Sequence, residues 1–287
     1  MTYTNPDALV STQWLADHLT APDVRVVDAS WVLPGSDRNP KAEYNEQHIP
    51  GAVFFDIDEI ADTDSDLPHM LPSPEKFSSR VRKLGLGDGV RIVVYDSNGG
   101  FMAAHRVWWT FRVFGHEDVA VLDGGLPKWL AEGRPVEDIP PLPRERHFTP
   151  RMNTFLVRSR DQVLANLDSA KEQLIDARAA DRFAGTGKEP RPELRLGRIP
   201  NSLNIPFQKV LDTDHFNVMR PAHEISEAFT KAGVDTSRPI VTSCGSGVTA
   251  SCLTFALYLI GHTDVAVYDG SWVEWGADEN LPLATGA

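Results

Sequence analysis

The chain has 287 residues, 41% of them hydrophobic and 24% charged, with a formal net charge of −12 at neutral pH. That length accommodates two domains with separate cores. The negative charge disfavours nucleic-acid partners, and no apolar run approaches the roughly 20 residues of a membrane span.

Four runs in the first half read as strands: Val24–Asp28, 52–55, Arg91–Tyr95 and Val119–Leu122. Between them, 74–84 and 102–114 space their apolar residues as helices do, the former behind Ser73 as N-cap. The proline-rich run 139–146 resists helix and sheet and suits a linker. Beyond it, strands are expected at Gln173–Asp176, 202–205, Ile240–Ser243 and Val265–Tyr268, with helices near 160–167, 222–232 and 248–260. Such alternation predicts an α/β fold, each domain a largely parallel sheet flanked by helices.

The chain repeats itself. Residues 115–124 (Gly-His-Glu-Asp-Val-Ala-Val-Leu-Asp-Gly) recur at 261–270 as Gly-His-Thr-Asp-Val-Ala-Val-Tyr-Asp-Gly, with Trp129 after the first copy and Trp272 and Trp275 after the second. Val26-Val27-Asp28-Ala29 corresponds to Leu174-Ile175-Asp176-Ala177, and His48-Ile49-Pro50-Gly51 to Arg198-Ile199-Pro200-Asn201. Collinear matches of this kind indicate a duplicated domain. The expected division is a non-catalytic domain over 1–140 that contributes to a cleft, a linker over 141–152, and a catalytic domain over 153–287.

One strand ends in a nucleophile. Ile240–Ser243 runs into Cys244-Gly245-Ser246-Gly247-Val248-Thr249-Ala250 and then an apolar helical run. A helix N-terminus lowers a thiol pKa, and the glycines let backbone N–H groups turn toward the sulfur. In parallel sheets ligands bind at strand carboxyl ends, where Cys244 stands, and a Gly-Ser-Gly loop is expected to leave it unburied. The first copy has Asp96 there, followed by Ser97-Asn98-Gly99-Gly100, so only the second half carries the nucleophile. Cys252 lies in the apolar helical run and reads as core. With just two cysteines, about 12 Å apart along a helix, no disulfide is expected.

A reducing cytoplasm is the expected compartment, since the first six residues carry no secretory or transit pattern. A cysteine phosphatase loop needs an arginine where Ala250 stands. No grouped Cys/His spacing predicts a metal, and no nucleotide motif follows a strand; neither metal nor cofactor is expected.

The duplicated Ile-Pro motifs, the Asp-Gly turns with nearby tryptophans and the Cys-Gly-Ser-Gly-Val-Thr loop closely resemble the tandem rhodanese-domain sulfurtransferases, over nearly the whole chain. Thiosulfate-specific members of that family usually carry basic residues directly after the cysteine. With Gly245 and Ser246 there, the loop looks like the 3-mercaptopyruvate sulfurtransferase branch. The resemblance implies transfer of sulfur from 3-mercaptopyruvate through a Cys244 persulfide, releasing pyruvate, to a thiol acceptor (thioredoxin-like or low-molecular-weight) or cyanide. Thiosulfate:cyanide transfer by the same cysteine is the alternative.

Further residues follow from the resemblance. Phe54-Phe55-Asp56-Ile57-Asp58 and His69-Met70-Leu71-Pro72 are similar to the family's N-terminal substrate region. They imply a relay of Ser246, His69 and Asp58, in which histidine moves a proton and a carboxylate fixes its tautomer. Composition does not separate Asp56 from Asp58; the family register favours Asp58. Arg182 and Arg191 match the pair that grips the substrate's carboxylate and carbonyl, for which guanidinium forks are suited. The N–H groups of Gly245, Gly247, Val248 and Thr249 complete the expected binding loop. The intervening Gly187-Lys188-Glu189-Pro190 is expected to be flexible, and Arg198 and Asn201 depart from the family's usual histidine and glycine.

Overall fold

The computed structural model describes residues 2–33, 35–97 and 103–286. The first half runs β1 (Leu9–Val10), α1 (Thr12–His18), β2 (Val24–Asp28), α2 (Pro40–Glu46), β3 (Val53–Phe54), α3 (Pro74–Lys83), β4 (Arg91–Tyr95), α4 (Ala103–Val113), β5 (Val119–Leu122) and α5 (Gly125–Ala131). The second runs β6 (Val157–Arg158), α6 (Arg160–Ser169), β7 (Gln173–Asp176), α7 (Ala180–Ala184), β8 (Leu203–Asn204), β9 (Leu211–Asp212), β10 (Val218–Met219), α8 (Ala222–Lys231), β11 (Ile240–Ser243), α9 (Val248–Leu259), β12 (Val265–Tyr268) and α10 (Ser271–Trp275).

Each half builds a five-stranded parallel sheet, in the orders β1-β5-β4-β2-β3 and β6-β12-β11-β7-β8. The identical orders carry the sequence duplication into space. The central strands β4 and β11 are apolar because helices bury both sheet faces. Ser73 caps α3 as expected, its hydroxyl accepting the Lys76 N–H at 3.2 Å. The strands expected at 52–55 and 202–205 are shorter, Val53–Phe54 and Leu203–Asn204. Residue 102 of the expected helix, with Asn98, Gly99 and Gly100, lies outside the described residues. The run 139–146 forms neither helix nor strand. Just past it the chain is laid against the turn after α3, where Asp88 N–H donates to the His147 carbonyl at 2.9 Å.

The departure at 198–201 leaves the local geometry intact. Asn201 takes φ 61° where Gly51 takes 76°, and asparagine tolerates that left-handed region better than most residues. Arg198 bridges Ala284 as His48 bridges Glu137.

The halves are joined at their cores and at two carboxylates. Helices α4 and α9 pack together, with Trp108 edge-on to Phe255 at 4.8 Å. On one side of this joint the Asp269 carboxylate accepts the Leu71 N–H at 2.9 Å; on the other Asp123 accepts the Met219 N–H at 2.9 Å. His69 and Asn217, each two residues before those amides, have left-handed backbones at φ 62° and 55°. Arg106 of α4 adds a buried ion pair to Asp269 at 2.7 Å, lies over the Trp109 ring at 4.4 Å and donates to the His69 carbonyl.

Burial pushes the Asp123 carboxyl up to about 6. The folded state therefore holds that proton more tightly than the unfolded chain, whose aspartates titrate near 3.9. The resulting destabilisation is absent below about pH 4 and complete above the folded pKa. Asp123→Asn, which keeps an acceptor for Met219, is expected to stabilise the protein at pH 7 by roughly 1–3 kcal/mol and to have little effect at pH 4. Urea midpoints at the two pH values check this; an equal change at both would contradict it.

Candidate active site

Cys244 follows β11 directly and sits on the floor of a cavity of about 180 Å³ between the halves. Its backbone is pinned on both sides: its N–H donates to Ser271 Oγ at 3.1 Å, and its carbonyl accepts the Trp272 N–H at 3.0 Å. The carbonyls of Gly245 and Gly247 are likewise taken, by the Val273 N–H and the Ser251 hydroxyl, both at 2.9 Å. Among the described residues, the N–H groups of Gly245, Ser246 and Gly247 donate to nothing. No side chain caps α9, so Val248 and Thr249 add the unpaired amides of its first turn. Carbonyls turned away and amides left open form a cradle for an anionic sulfur.

Contrary to expectation, Cys244 is only 2% exposed; its sulfur is reached through the cavity. Cys252 is fully buried, and desolvation with a contribution from the Asp96 charge pushes its thiol well above the ordinary range. It is core. In the first half the counterpart Asp96 is also buried and accepts the Ala104 N–H at 3.0 Å, tying down the start of α4.

Gly247 is required twice over. Its φ is 77°, and a Cβ there would lie 2.7 Å from Arg106 Nη1 and 3.0 Å from the Asp269 carbonyl. The Arg106–Asp269 pair thus presses on the cysteine loop while holding His69 by its carbonyl.

The first half brings Asp58 and His69 together, with Nδ1 at 2.6 Å from Asp58 Oδ1. Asp56 instead turns its own loop, accepting the N–H groups of Asp58 and Glu59 at 2.9 and 3.1 Å. Burial pushes the Asp58 carboxyl up, but the close His69 contact, the Trp31 hydrogen bond and the Arg191 charge outweigh it and hold it below the ordinary carboxylate range. Neither ring nitrogen of His69 makes a hydrogen bond among the described residues, Nδ1 having only its close ion-pair contact with Asp58, and the Ser246 hydroxyl has none either. Ser246 lines the Cys244 cavity, whereas His69 faces a smaller crevice beside Arg106. Trp31 connects them spatially, as it lines the cavity and packs edge-on against His69 at 4.8 Å.

The arginines differ from expectation. Arg182 is held in a two-pronged ion pair by Glu189, at 3.1 and 2.7 Å, with Nη2 facing Gly245. Glu189 also holds Arg178 at 3.1 Å, and Asp176 binds Arg178 through both oxygens. Glu189 is 5% exposed, so the 187–190 segment expected to be flexible is anchored by a buried side chain. Arg191 also lines the cavity; its carbonyl accepts the Leu194 N–H at 3.1 Å, and its guanidinium, among the described residues, makes no ion pair or hydrogen bond.

Sequence reasoning missed Trp31, Arg178, Glu189, Ser271 and the Arg106–Asp269 pair. Glu189 had a signal, an acid between two arginines assigned to binding. Trp31 and Arg106 had none, since their partners lie far away in the chain.

A family model described as Rhodanese-like domain matches residues 11–132 and 159–278. The human protein named 3-mercaptopyruvate sulfurtransferase is 42% identical over 93% of this chain and 91% of its own length. The rat protein named thiosulfate sulfurtransferase is 46% identical over the same shares. The crystal structure of SseA from Escherichia coli, described among 3-mercaptopyruvate sulfotransferases, superposes with a TM-score of 0.84 at 38% identity, covering 92% of this chain and 98% of that one.

Gly247→Ala is expected to lose about 1–3 kcal/mol through backbone strain and to slow reaction at Cys244 by about 100-fold through displacement of the loop. Urea unfolding and the rate of thiol modification by a small alkylating anion would measure both; wild-type values would remove the constraint assigned to this glycine.

Proposed function

Because the chain belongs to the rhodanese family, we propose that it moves sulfur from 3-mercaptopyruvate to a nucleophilic acceptor through a persulfide on Cys244. The observation that carries this choice is the charge of the cavity. Asp176 and Glu189 neutralise Arg178 and Arg182, leaving Arg191 as the unpaired cation beside Cys244 among the described residues. One positive charge suits a monoanionic carboxylate; a dianion such as thiosulfate would leave one charge uncompensated in a confined site. Gly245 and Ser246 add no charge after the cysteine. Overall identity does not separate the donors, since a thiosulfate sulfurtransferase is among the relatives.

Arg191 takes the substrate carboxylate, and Arg182, from its place against Gly245, takes the carbonyl. The Cys244 thiolate attacks the substrate sulfur. The S–S bond forms as the C–S bond breaks, and its electron pair passes into the carbonyl-conjugated carbon as the enolate of pyruvate. The thiol proton of the substrate travels through Ser246 and His69, with Asp58 fixing the imidazole, to that carbon. The products are pyruvate and a persulfide anion in the amide cradle of Gly245, Gly247, Val248 and Thr249. A thiol, thioredoxin-like or small, or cyanide then removes the outer sulfur.

Residues 153–287 are the catalytic domain and 1–140 the supporting one, joined through 141–152. Both cysteines are free; the compartment inferred is a reducing cytoplasm. No described helix is long and apolar enough to cross a membrane.

After incubation with 3-mercaptopyruvate, intact mass should rise by one sulfur in the wild type and stay unchanged in Cys244→Ser. An equal adduct on the serine variant would place the persulfide elsewhere. Arg191→Ala is expected to lower kcat/KM for 3-mercaptopyruvate by about 10- to 100-fold, the loss of a charge-assisted hydrogen bond; unchanged kinetics would remove it from the site.

A further inference from the structure

The geometry points to a role for Trp31 beyond walling the cavity: we propose that it is a positioning residue for proton transfer, clamping Asp58 and thereby the His69 ring. This rests on the Cys244 mechanism above. The Asp58 side chain is 56% exposed, and an exposed carboxylate on a loop rotates freely unless both oxygens are held. Both are. Oδ1 lies 2.6 Å from His69 Nδ1, and Oδ2 accepts the Trp31 indole N–H at 3.0 Å.

A close polar contact on one oxygen and a hydrogen bond on the other hold the carboxylate plane and with it the imidazole, as Nδ1–H tautomer with Nε2 left to accept a proton. An indole N–H can only donate, so it favours the ionised carboxylate that this tautomer needs. The ring also packs edge-on against His69, 4.8 Å between centroids and 87° between planes.

Trp31 is itself held. The neighbouring Ser30 N–H donates to Asp28 Oδ1 at 2.8 Å, and the Ala29 N–H donates to the Tyr95 carbonyl at 2.8 Å. The indole belongs to the wall facing Cys244, so one rigid side chain sets the proton-handling pair of the first half relative to the nucleophile of the second.

The test is a double-mutant cycle on the rate of Cys244 persulfide formation in a single turnover, with steady-state kcat and KM measured for 3-mercaptopyruvate. Trp31→Phe keeps an aromatic ring and removes the donor. It is expected to slow persulfide formation and kcat about tenfold while KM changes less than about twofold. In an Asp58→Asn background it should slow them no further, because it acts through that carboxylate.

Full multiplication of the two effects, or a rise in KM at unchanged kcat, would overturn the proposal and leave Trp31 as cavity wall. Asp58→Asn at the wild-type rate would overturn the relay and the role of Trp31 together, although the Cys244 persulfide would still form. A fold-independent measurement uses the ¹⁵N spectra of the wild type and Asp58→Asn. One of the indole N–H resonances of the seven tryptophans should move; none moving would also overturn the proposal.

Discussion

The buried ion pair between Arg106 and Asp269 is the constraint around which the two halves are arranged. It adds little net stability relative to apolar packing, but either partner left alone in the interior is strongly unfavourable. It therefore penalises any arrangement that separates α4 from the turn after β12. Its reach extends further: Arg106 holds the His69 carbonyl, Asp269 holds the Leu71 amide, and both press on the position that only glycine fits at 247. The Cys244 loop and the His69 loop, one from each half, are thus set against a common buried pair.

The same economy governs the cavity. Arg178 is buried and bound on several sides, and it stacks over the Trp272 ring at 4.3 Å. Its work is structural, tying β7 to the segment that carries Glu189. Glu189 in turn fixes Arg182 beside the cysteine loop and cancels its charge. Arg191 remains to meet an anion, with Asp58 near enough to feel it. On the mechanism proposed above, a loop of glycine and serine and one guanidinium without an ion pair among the described residues suit a small monoanionic thiol acid.

The central strands were legible because both faces of a parallel sheet are buried, which writes Val-Ile runs such as Arg91–Tyr95 and Ile240–Ser243 into the chain. The edge strands β1 and β6 were not, since two residues carry no periodicity. Cys244 was legible from its glycine-rich loop, though its burial was not, because depth depends on what the other half places over it. The pairing of Asp58 with His69 came from resemblance to a known family. Arg106 and Trp31 could not be read at all: an arginine in an apolar helix acquires its role from Asp269 across the joint between the halves, and a tryptophan after a strand from Asp58 and His69 much further along its own half.

The roles proposed for Cys244 and Arg191 depend on the identity of the sulfur donor. Comparing kcat/KM for 3-mercaptopyruvate and thiosulfate, with cyanide as common acceptor, tests it most directly. A clear preference for 3-mercaptopyruvate is expected from a cavity with one unpaired cation, and a preference for thiosulfate would contradict the assignment.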